Sequence, residues 1–93
     1  MSRSSNAAHY GAKVEAAARE RYGLEPEHDA WHDAVRRNGD PVETKAAMYR
    51  RADGSPGRFR IFRDYHERLA RADGWYCFGS YRVRGRGIEI VSM

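Results

Sequence analysis

The chain has 93 residues, and its 17 Lys and Arg against 13 Asp and Glu give a formal net charge of +4. This length predicts one domain over residues 1–93, with a polar, flexible tail at 1–6 and a core near the lower limit for folding without a metal, disulfide or partner. The single Cys77 excludes an intrachain disulfide and a cysteine-based zinc site. The lack of a long apolar run or signal-peptide core predicts a cytoplasmic protein that does not cross a membrane.

The first predicted element is a helix from about Ala7 to Tyr22, which Gly23 ends. Its narrow apolar stripe at helical spacing includes Tyr10, Val14, Ala17 and Ala18. Glu15 lies close to this buried side, where a carboxylate needs a partner, and Arg19 one turn later can supply one. Residues 24–29 then form an acidic connector.

A hairpin is predicted at the centre of the first half. Asn38-Gly39 stands between two runs, Ala30 to Arg36 and Pro41 to Met48, that each contain apolar residues. Asn-Gly is a strong hairpin signal, because both residues tolerate positive φ. This hairpin places Asp33 on its first strand.

The second strand of this hairpin carries Glu43 and Lys45, which alternation places on one face. Close carboxylates repel each other unless a cation lies between them, and oxygen ligands favour magnesium or manganese. An ammonium beside such a site can orient a water molecule for attack on phosphorus. The alternative is that Asp33 and Asp40 are turn acids and that Glu43 and Lys45 form a solvated pair on an exposed strand face.

Four further elements are predicted after this hairpin. Arg58 to Arg63 alternates arginine with Phe59 and Ile61, which indicates a third strand with a basic face. The others are a helix that Asp64 caps and Gly74 ends, a largely buried strand at Trp75 to Val83 and a last strand at Gly87 to Met93. The order is α-β-β-β-α-β-β, an α/β class with a mixed α+β sheet.

The positive excess lies entirely in the second half of the chain: residues 50–93 carry ten Arg and five acids. Guanidinium groups bind phosphate bidentately, so a polyanion such as DNA is expected here, although a solvated basic face is the alternative. The arginines predicted to bind DNA are Arg50, Arg51, Arg58, Arg60, Arg63, Arg84 and Arg86, with Arg82 near them. The aromatics at strand spacing are expected in the core rather than as a base-stacking platform: Phe59, Phe62, Trp75, Tyr76, Phe78 and Tyr81.

Asp33 followed by Glu43-Thr44-Lys45 resembles the D…(D/E)-x-K signature of the PD-(D/E)XK nuclease superfamily. The flanking elements, from Ala8 to Met93, look most like archaeal Holliday junction resolvases, which implies a restriction-endonuclease-like core. His32 occupies the position that usually holds proline, and alternation is expected to point it away from Asp33. The scattered histidines show no paired zinc-ligand spacing.

The resemblance implies a magnesium-dependent, structure-selective DNA endonuclease in which Mn²⁺ can replace Mg²⁺. Asp33, Glu43 and the carbonyl of Thr44 would hold the metal, and Lys45 would position the attacking water. These resolvases carry a glutamate on the first helix that helps to build the metal site, a role that falls on Glu15, with Glu20 as second candidate. Cleavage would leave a 5′ phosphate.

Two other functions stay open from the sequence. A small stand-alone nuclease of the VRR-NUC type shares the same core, and its glutamine on the next helix falls where this chain has Tyr65-His66. A nucleic-acid-binding module without catalysis is the other, although such a binder gains nothing from acids that face phosphate. A homodimer is predicted, because the core is small and a four-way junction requires two symmetric cuts.

Overall fold

The computed structural model describes residues 3–93, with the side chains from residue 8 onward. Within this range two helices pack with a mixed five-stranded sheet of order β1-β2-β3-β4-β5, an α+β fold as predicted. The elements are α1 (Arg3–Tyr22), β1 (Glu25–Pro26), β2 (Ala34–Val35), β3 (Pro41–Met48), α2 (Arg63–Arg71), β4 (Trp75–Arg84) and β5 (Gly87–Ser92).

Helix α1 covers one face of the sheet and forms the core with it. Val14 and Ala18, at helical spacing, are fully buried, as the apolar stripe predicts. The helix lies close to β4 because Gly79 has no side chain: a Cβ there would stand 2.5 Å from Cγ1 of Val14. Cys77 is buried on the same strand, as expected. The sheet is closed to solvent where α1 crosses it.

The β2–β3 hairpin is confirmed, with a shorter first strand than predicted. Only Ala34 and Val35 pair with β3, and residues 36–40 form the turn. Gly39 alone adopts positive φ, at 92°, and Asn38 contributes instead by accepting the N–H of Asp40 at 3.0 Å. Strand β3 itself has the predicted bounds.

Strand β3 lies at the centre of the sheet and pairs in parallel with β4 along seven residues, from Val42–Trp75 to Met48–Tyr81. This register places Glu43 beside Tyr76 and Lys45 beside Phe78. Strand β5 pairs antiparallel with the second half of β4 only.

The predicted strand at Arg58 to Arg63 is wrong. Residues 58–62 have no regular structure, and their side chains are exposed. The ring of Phe59 packs against that of Phe78, at 5.0 Å between centroids, so the segment crosses the sheet face instead of joining an edge. The order of element types still holds, because the predicted connector contains the short strand β1, paired with β2.

Both helices begin earlier than the sequence indicates. Helix α1 starts at Arg3, so the predicted tail is helical from there, and Met1 and Ser2 lie outside the described residues. In α2 the N-cap is Phe62 rather than Asp64, without a side-chain cap. The predicted capping box fails because Glu67 pairs with Arg63 instead, at 3.7 Å.

The aromatic side chains of the second half are mostly exposed, contrary to the core prediction. Helix α2 buries only Leu69 and is too short to cover the sheet face that α1 leaves open. Of the six predicted core aromatics, Tyr81 is buried, Tyr76 is half-buried, and four are exposed: Phe59, Phe62, Trp75 and Phe78. No helix in residues 3–93 has the length and apolar character required to cross a membrane.

Candidate active site

Asp33 is fixed at the start of the hairpin by three hydrogen bonds. It lies just before β2, not within the first strand as predicted. Its own N–H donates to the carbonyl of Val42 at 3.0 Å, and its carbonyl accepts the N–H of Glu27 at 2.9 Å. Its Oδ2 accepts the backbone N–H of Thr44 at 2.7 Å. The hairpin thus ties this carboxylate to the strand that carries Glu43 and Lys45.

Glu43 and Lys45 form a pair beside Asp33. Nζ of Lys45 lies 3.5 Å from Oε2 of Glu43, and both side chains are less than one-fifth exposed. Burial raises the pKa of Glu43 to about 8, and a hydrogen bond and repulsion from Asp33 add to the rise. Lys45 lowers this pKa but does not outweigh burial. The carboxyl therefore holds a proton at neutral pH unless additional positive charge approaches.

Helix α1 brings a third carboxyl to this place. Burial raises the pKa of Glu15, and repulsion from Asp33 raises it further, against the opposing charge of Arg19. Glu15, Asp33 and Glu43 line a common hollow of about 700 Å³ with residues of the β1–β2 loop. Glu20, the second candidate, is exposed and does not line it.

His32 also lines this acidic hollow, which contradicts the prediction that it points away from Asp33. Strand alternation does not operate here, because both residues precede β2. The His32 ring is only 3% exposed, lies on Trp31 at 4.2 Å between centroids, and contacts Oε1 of Glu27 through Nε2 at 2.9 Å. The contact between His32 and Glu27 therefore joins the two ends of the β1–β2 loop next to Asp33.

Three buried polar side-chain atoms have no hydrogen-bond partner among the described residues; two belong to residues that line this hollow, and the third to Thr44, which follows Glu43 on β3. They are Oδ1 of Asp33, Oγ1 of Thr44 and Nδ1 of His32. A buried unpaired polar atom is costly, so each one points to a water molecule or an ion in the functional molecule.

Within residues 3–93, no three His, Cys, Asp or Glu side chains are arranged so that they could hold a metal ion as they stand. The internal bonds give a physical reason. Oδ2 of Asp33 is directed to the Thr44 N–H, and the Glu43 carboxyl to Lys45. Both contacts turn carboxyl oxygens toward groups of the protein rather than toward a common point.

Comparison with protein families matches residues 1–93, the whole chain, to the PD-(D/E)XK nuclease superfamily domain. The chain belongs to the PD-(D/E)XK nuclease superfamily. This membership makes the protein a nuclease, a phosphodiester hydrolase that binds nucleic acid, in a superfamily that typically uses divalent metals. Neither the search of curated proteins nor that of solved structures gave a match.

The arginines predicted to bind DNA, and Arg82 near them, are all exposed, but only some of them form ion pairs with acidic residues. Arg82 and Arg84 both contact Glu89, at 3.9 and 2.9 Å, and Arg63 pairs with Glu67. The remaining predicted DNA-binding arginines form no ion pair with another described residue, namely Arg50, Arg51, Arg58, Arg60 and Arg86. The available positive charge therefore lies on the irregular segments rather than on β4.

The structure brings Glu15, Asp33, Glu43 and Lys45 together, as the sequence predicts, and adds two features that sequence reasoning missed. The first is the Glu27–His32 contact, for which the only signal was that His32 adjoins Asp33. The second is the row of aromatic rings beside the strand that carries Glu43 and Lys45, which depends on the parallel register of β3 and β4.

Proposed function

We propose that this PD-(D/E)XK domain is a magnesium-dependent endonuclease that cuts branched DNA as a homodimer, in the manner of a Holliday junction resolvase. One observation carries the proposal: a nuclease-superfamily chain places Glu15, Asp33 and Glu43 around one hollow, with Lys45 at its border. Surface carboxylates without a catalytic role would have no reason to be buried together.

The donor set of the hollow fits a hard divalent cation. Oδ1 of Asp33 is buried without a partner, and the pKa of Glu43 is raised to about 8 by burial and by Asp33. Oxygen ligands and shared negative charge are what Mg²⁺ or Mn²⁺ requires. Asp33, Glu43 and the Thr44 carbonyl would hold the ion, with Glu15 completing the site directly or through water. When bound, this ion supplies positive charge at the scissile phosphate and makes water a better nucleophile.

Lys45 acts on the attacking water. The Lys45 ammonium, 3.5 Å from the Glu43 carboxyl, would donate a hydrogen bond to the water or to a phosphoryl oxygen. The water oxygen forms the new bond to phosphorus and gives up a proton to solvent, while the bond to the 3′ oxygen breaks and that oxygen takes up a proton, which leaves a 5′ phosphate and a 3′ hydroxyl.

A dimer, and with it the cutting of branched DNA, is supported by an unpaired strand edge in the second half of the chain. A four-way junction is cut in two strands related by approximate two-fold symmetry, which a C2 dimer with two sites matches. The strand edge of β4 at residues 75–79 has no strand partner on the β5 side among the described residues, and it offers apolar surface for a subunit contact.

Cleavage of a synthetic four-way junction and its linear duplex, with and without Mg²⁺, tests this function. Asp33→Asn, Glu43→Gln and Lys45→Ala should each reduce the cleavage rate about 100-fold or more, because each removes a ligand or the water-positioning charge. Glu15→Gln should slow cleavage, whereas the matched variant Glu20→Gln on the same helix should not.

Three results would contradict parts of the proposal. Unaltered cleavage by Lys45→Ala would exclude the assigned mechanism, and cleavage in EDTA would exclude the metal. Light scattering is expected to give a dimer; a monomer that nicks linear DNA would instead favour the stand-alone VRR-NUC type of nuclease.

A further inference from the structure

We propose that the aromatic surface beside Lys45 binds unpaired bases of the DNA substrate next to the bond to be cut. We define this surface as Phe59, Phe62, Tyr65, His66, Tyr76 and Phe78. The inference rests on the proposed nuclease function and narrows its substrate to branched DNA that exposes bases near the branch.

The centre of the aromatic surface is a row of stacked rings on the sheet face that α1 does not cover. His66 stacks on Tyr76 with 5.7 Å between centroids and 9° between planes, and its Nδ1 lies 2.9 Å from the Tyr76 hydroxyl. Tyr76 stacks on Phe78 at 5.4 Å and 21°. Phe59 closes the row edge-on against Phe78 at 5.0 Å. The rings are therefore held in place before any ligand binds.

This row lies directly beside the residues proposed for catalysis. The parallel register pairs Tyr76 with Glu43 and Phe78 with Lys45, and alternation places all four side chains on one face. A base on this surface would be adjacent to the phosphate that Lys45 serves.

Phe62 extends the surface toward solvent. It is 61% exposed, its ring lies 5.8 Å from Nζ of Lys45, and it contacts the ring of Tyr65 edge-on at 5.9 Å. A hollow of about 380 Å³ opens here between Phe62, Arg63, Asp64 and Tyr65. The Asp64 carboxylate in this hollow can accept a hydrogen bond from the exocyclic amino group of a base.

The charge around the aromatic surface matches a DNA strand. Arg58 and Arg60 alternate with Phe59 and Ile61 in one exposed segment, and neither arginine forms an ion pair with a described residue. Cations that follow the backbone, interleaved with rings that accept bases, are the combination by which proteins bind single strands. An apolar partner protein would not require the arginines.

Paired bases cannot use this surface, because their faces are already stacked within the duplex. Only unpaired or extruded bases offer a free π-face, and one base stacked on an aromatic ring contributes about 1–3 kcal/mol. The aromatic surface therefore selects DNA by local strand separation, whereas the arginines bind any DNA backbone.

Binding in EDTA to three DNA forms tests the inference without requiring cleavage. The probes are a short single strand, the matching blunt duplex, and a bulged duplex with 2-aminopurine in the bulge. Phe59→Leu and Phe62→Leu keep an apolar side chain but remove a ring. Each should weaken binding to the single strand and the bulge about 5- to 100-fold, with blunt-duplex affinity unchanged within about twofold. Quenching of 2-aminopurine fluorescence should be lost in parallel.

Two controls make the loss specific to aromatic stacking. Phe62→Trp, which keeps an aromatic ring at this position, should bind the single strand and the bulge and quench 2-aminopurine fluorescence as the parent protein does. Tyr22→Leu removes an aromatic side chain that is 51% exposed but lies at the end of α1, which covers the other face of the sheet, and it should bind all three probes normally.

Equal losses on all three probes, or no loss on any, would overturn the inference. If DNA affinity is unchanged and light scattering shows that Phe62→Leu dissociates a dimer, the surface belongs between two copies of the chain. A protein that binds the bulge through Phe62 but cuts no DNA with any divalent metal would contradict the nuclease proposal and leave the base-binding surface in place.

Discussion

The two faces of the sheet are built for different purposes. The face under α1 is closed by small and aliphatic residues such as Val14, Ala18 and Gly79, which pack without solvent. The opposite face, partly covered by α2, carries Glu43, Lys45 and stacked but exposed rings. The difference shows that apolar character has two uses here, since aliphatic residues build the core while aromatic residues remain accessible beside the site.

The largest expected effect is the difference in the free energy of unfolding that is lost when one side chain on each face is truncated. Val14→Ala should lower the free energy of unfolding by about 2–3 kcal/mol, because it leaves a cavity in a fully buried contact. Phe62→Ala should cost about 1 kcal/mol or less, since this residue is 61% exposed. Urea unfolding of both variants measures the contrast. Equal losses would show that the aromatic face is core after all.

The acidic hollow should make the stability of the protein depend on pH, which neither the aliphatic core nor the phenylalanine rings do. The pKa of Glu43 is about 8 in the folded protein and about 4.5 when unfolded, so the folded state holds a proton that the unfolded chain releases. Without divalent metal, the free energy of unfolding should therefore fall as pH rises from about 4.5 to 8. We expect a loss on the order of 2 kcal/mol after solvent screening, since one pKa unit corresponds to about 1.4 kcal/mol.

Glu43→Gln isolates this contribution. The variant should lose most of the decline between pH 4.5 and 8, and the raised pKa of Glu15 should leave a smaller decline in the same direction. Mg²⁺ should stabilise the parent protein above pH 8 and have little effect on the variant. A parent protein whose stability rises across this interval would contradict the proposed burial of the carboxyls.

The smallest expected effect concerns the arginines beside the aromatic surface. Arg58→Ser with Arg60→Ser should weaken binding to every DNA form severalfold. If each arginine contacts one phosphate, the slope of log affinity against log salt should fall by about 1.8 for the duplex and about 1.4 for the single strand. Arg37→Ser with Arg68→Ser, a double variant of exposed arginines without an assigned role, is the matched control. An unchanged slope would place Arg58 and Arg60 away from the DNA.

The hairpin and the proximity of Asp33 to the strand that carries Glu43 and Lys45 could be predicted from local sequence signals, because turn chemistry and alternation act over a few residues. The parallel pairing of β3 and β4 could not be predicted in this way, since it joins Glu43 to Tyr76 across a long connection. The failure at residues 58–62 has a related cause: alternation of arginine and apolar residues matches a strand period, but it does not tell whether a neighbouring edge is available. The exposure of Phe78 likewise depends on the short length of α2.

The parallel pairing of β3 and β4 also determines when the site can form during folding. The β2–β3 hairpin needs only a short turn, so we expect Asp33 and Glu43 to meet early, on the microsecond timescale of hairpins. Strand β4 can dock only after residues 49–74 close a loop, at an entropic cost that slows parallel pairing. The newly folded chain would thus gain its acidic centre first and its aromatic surface last, and during the interval the Lys45 strand is an unpaired edge open to association with other chains.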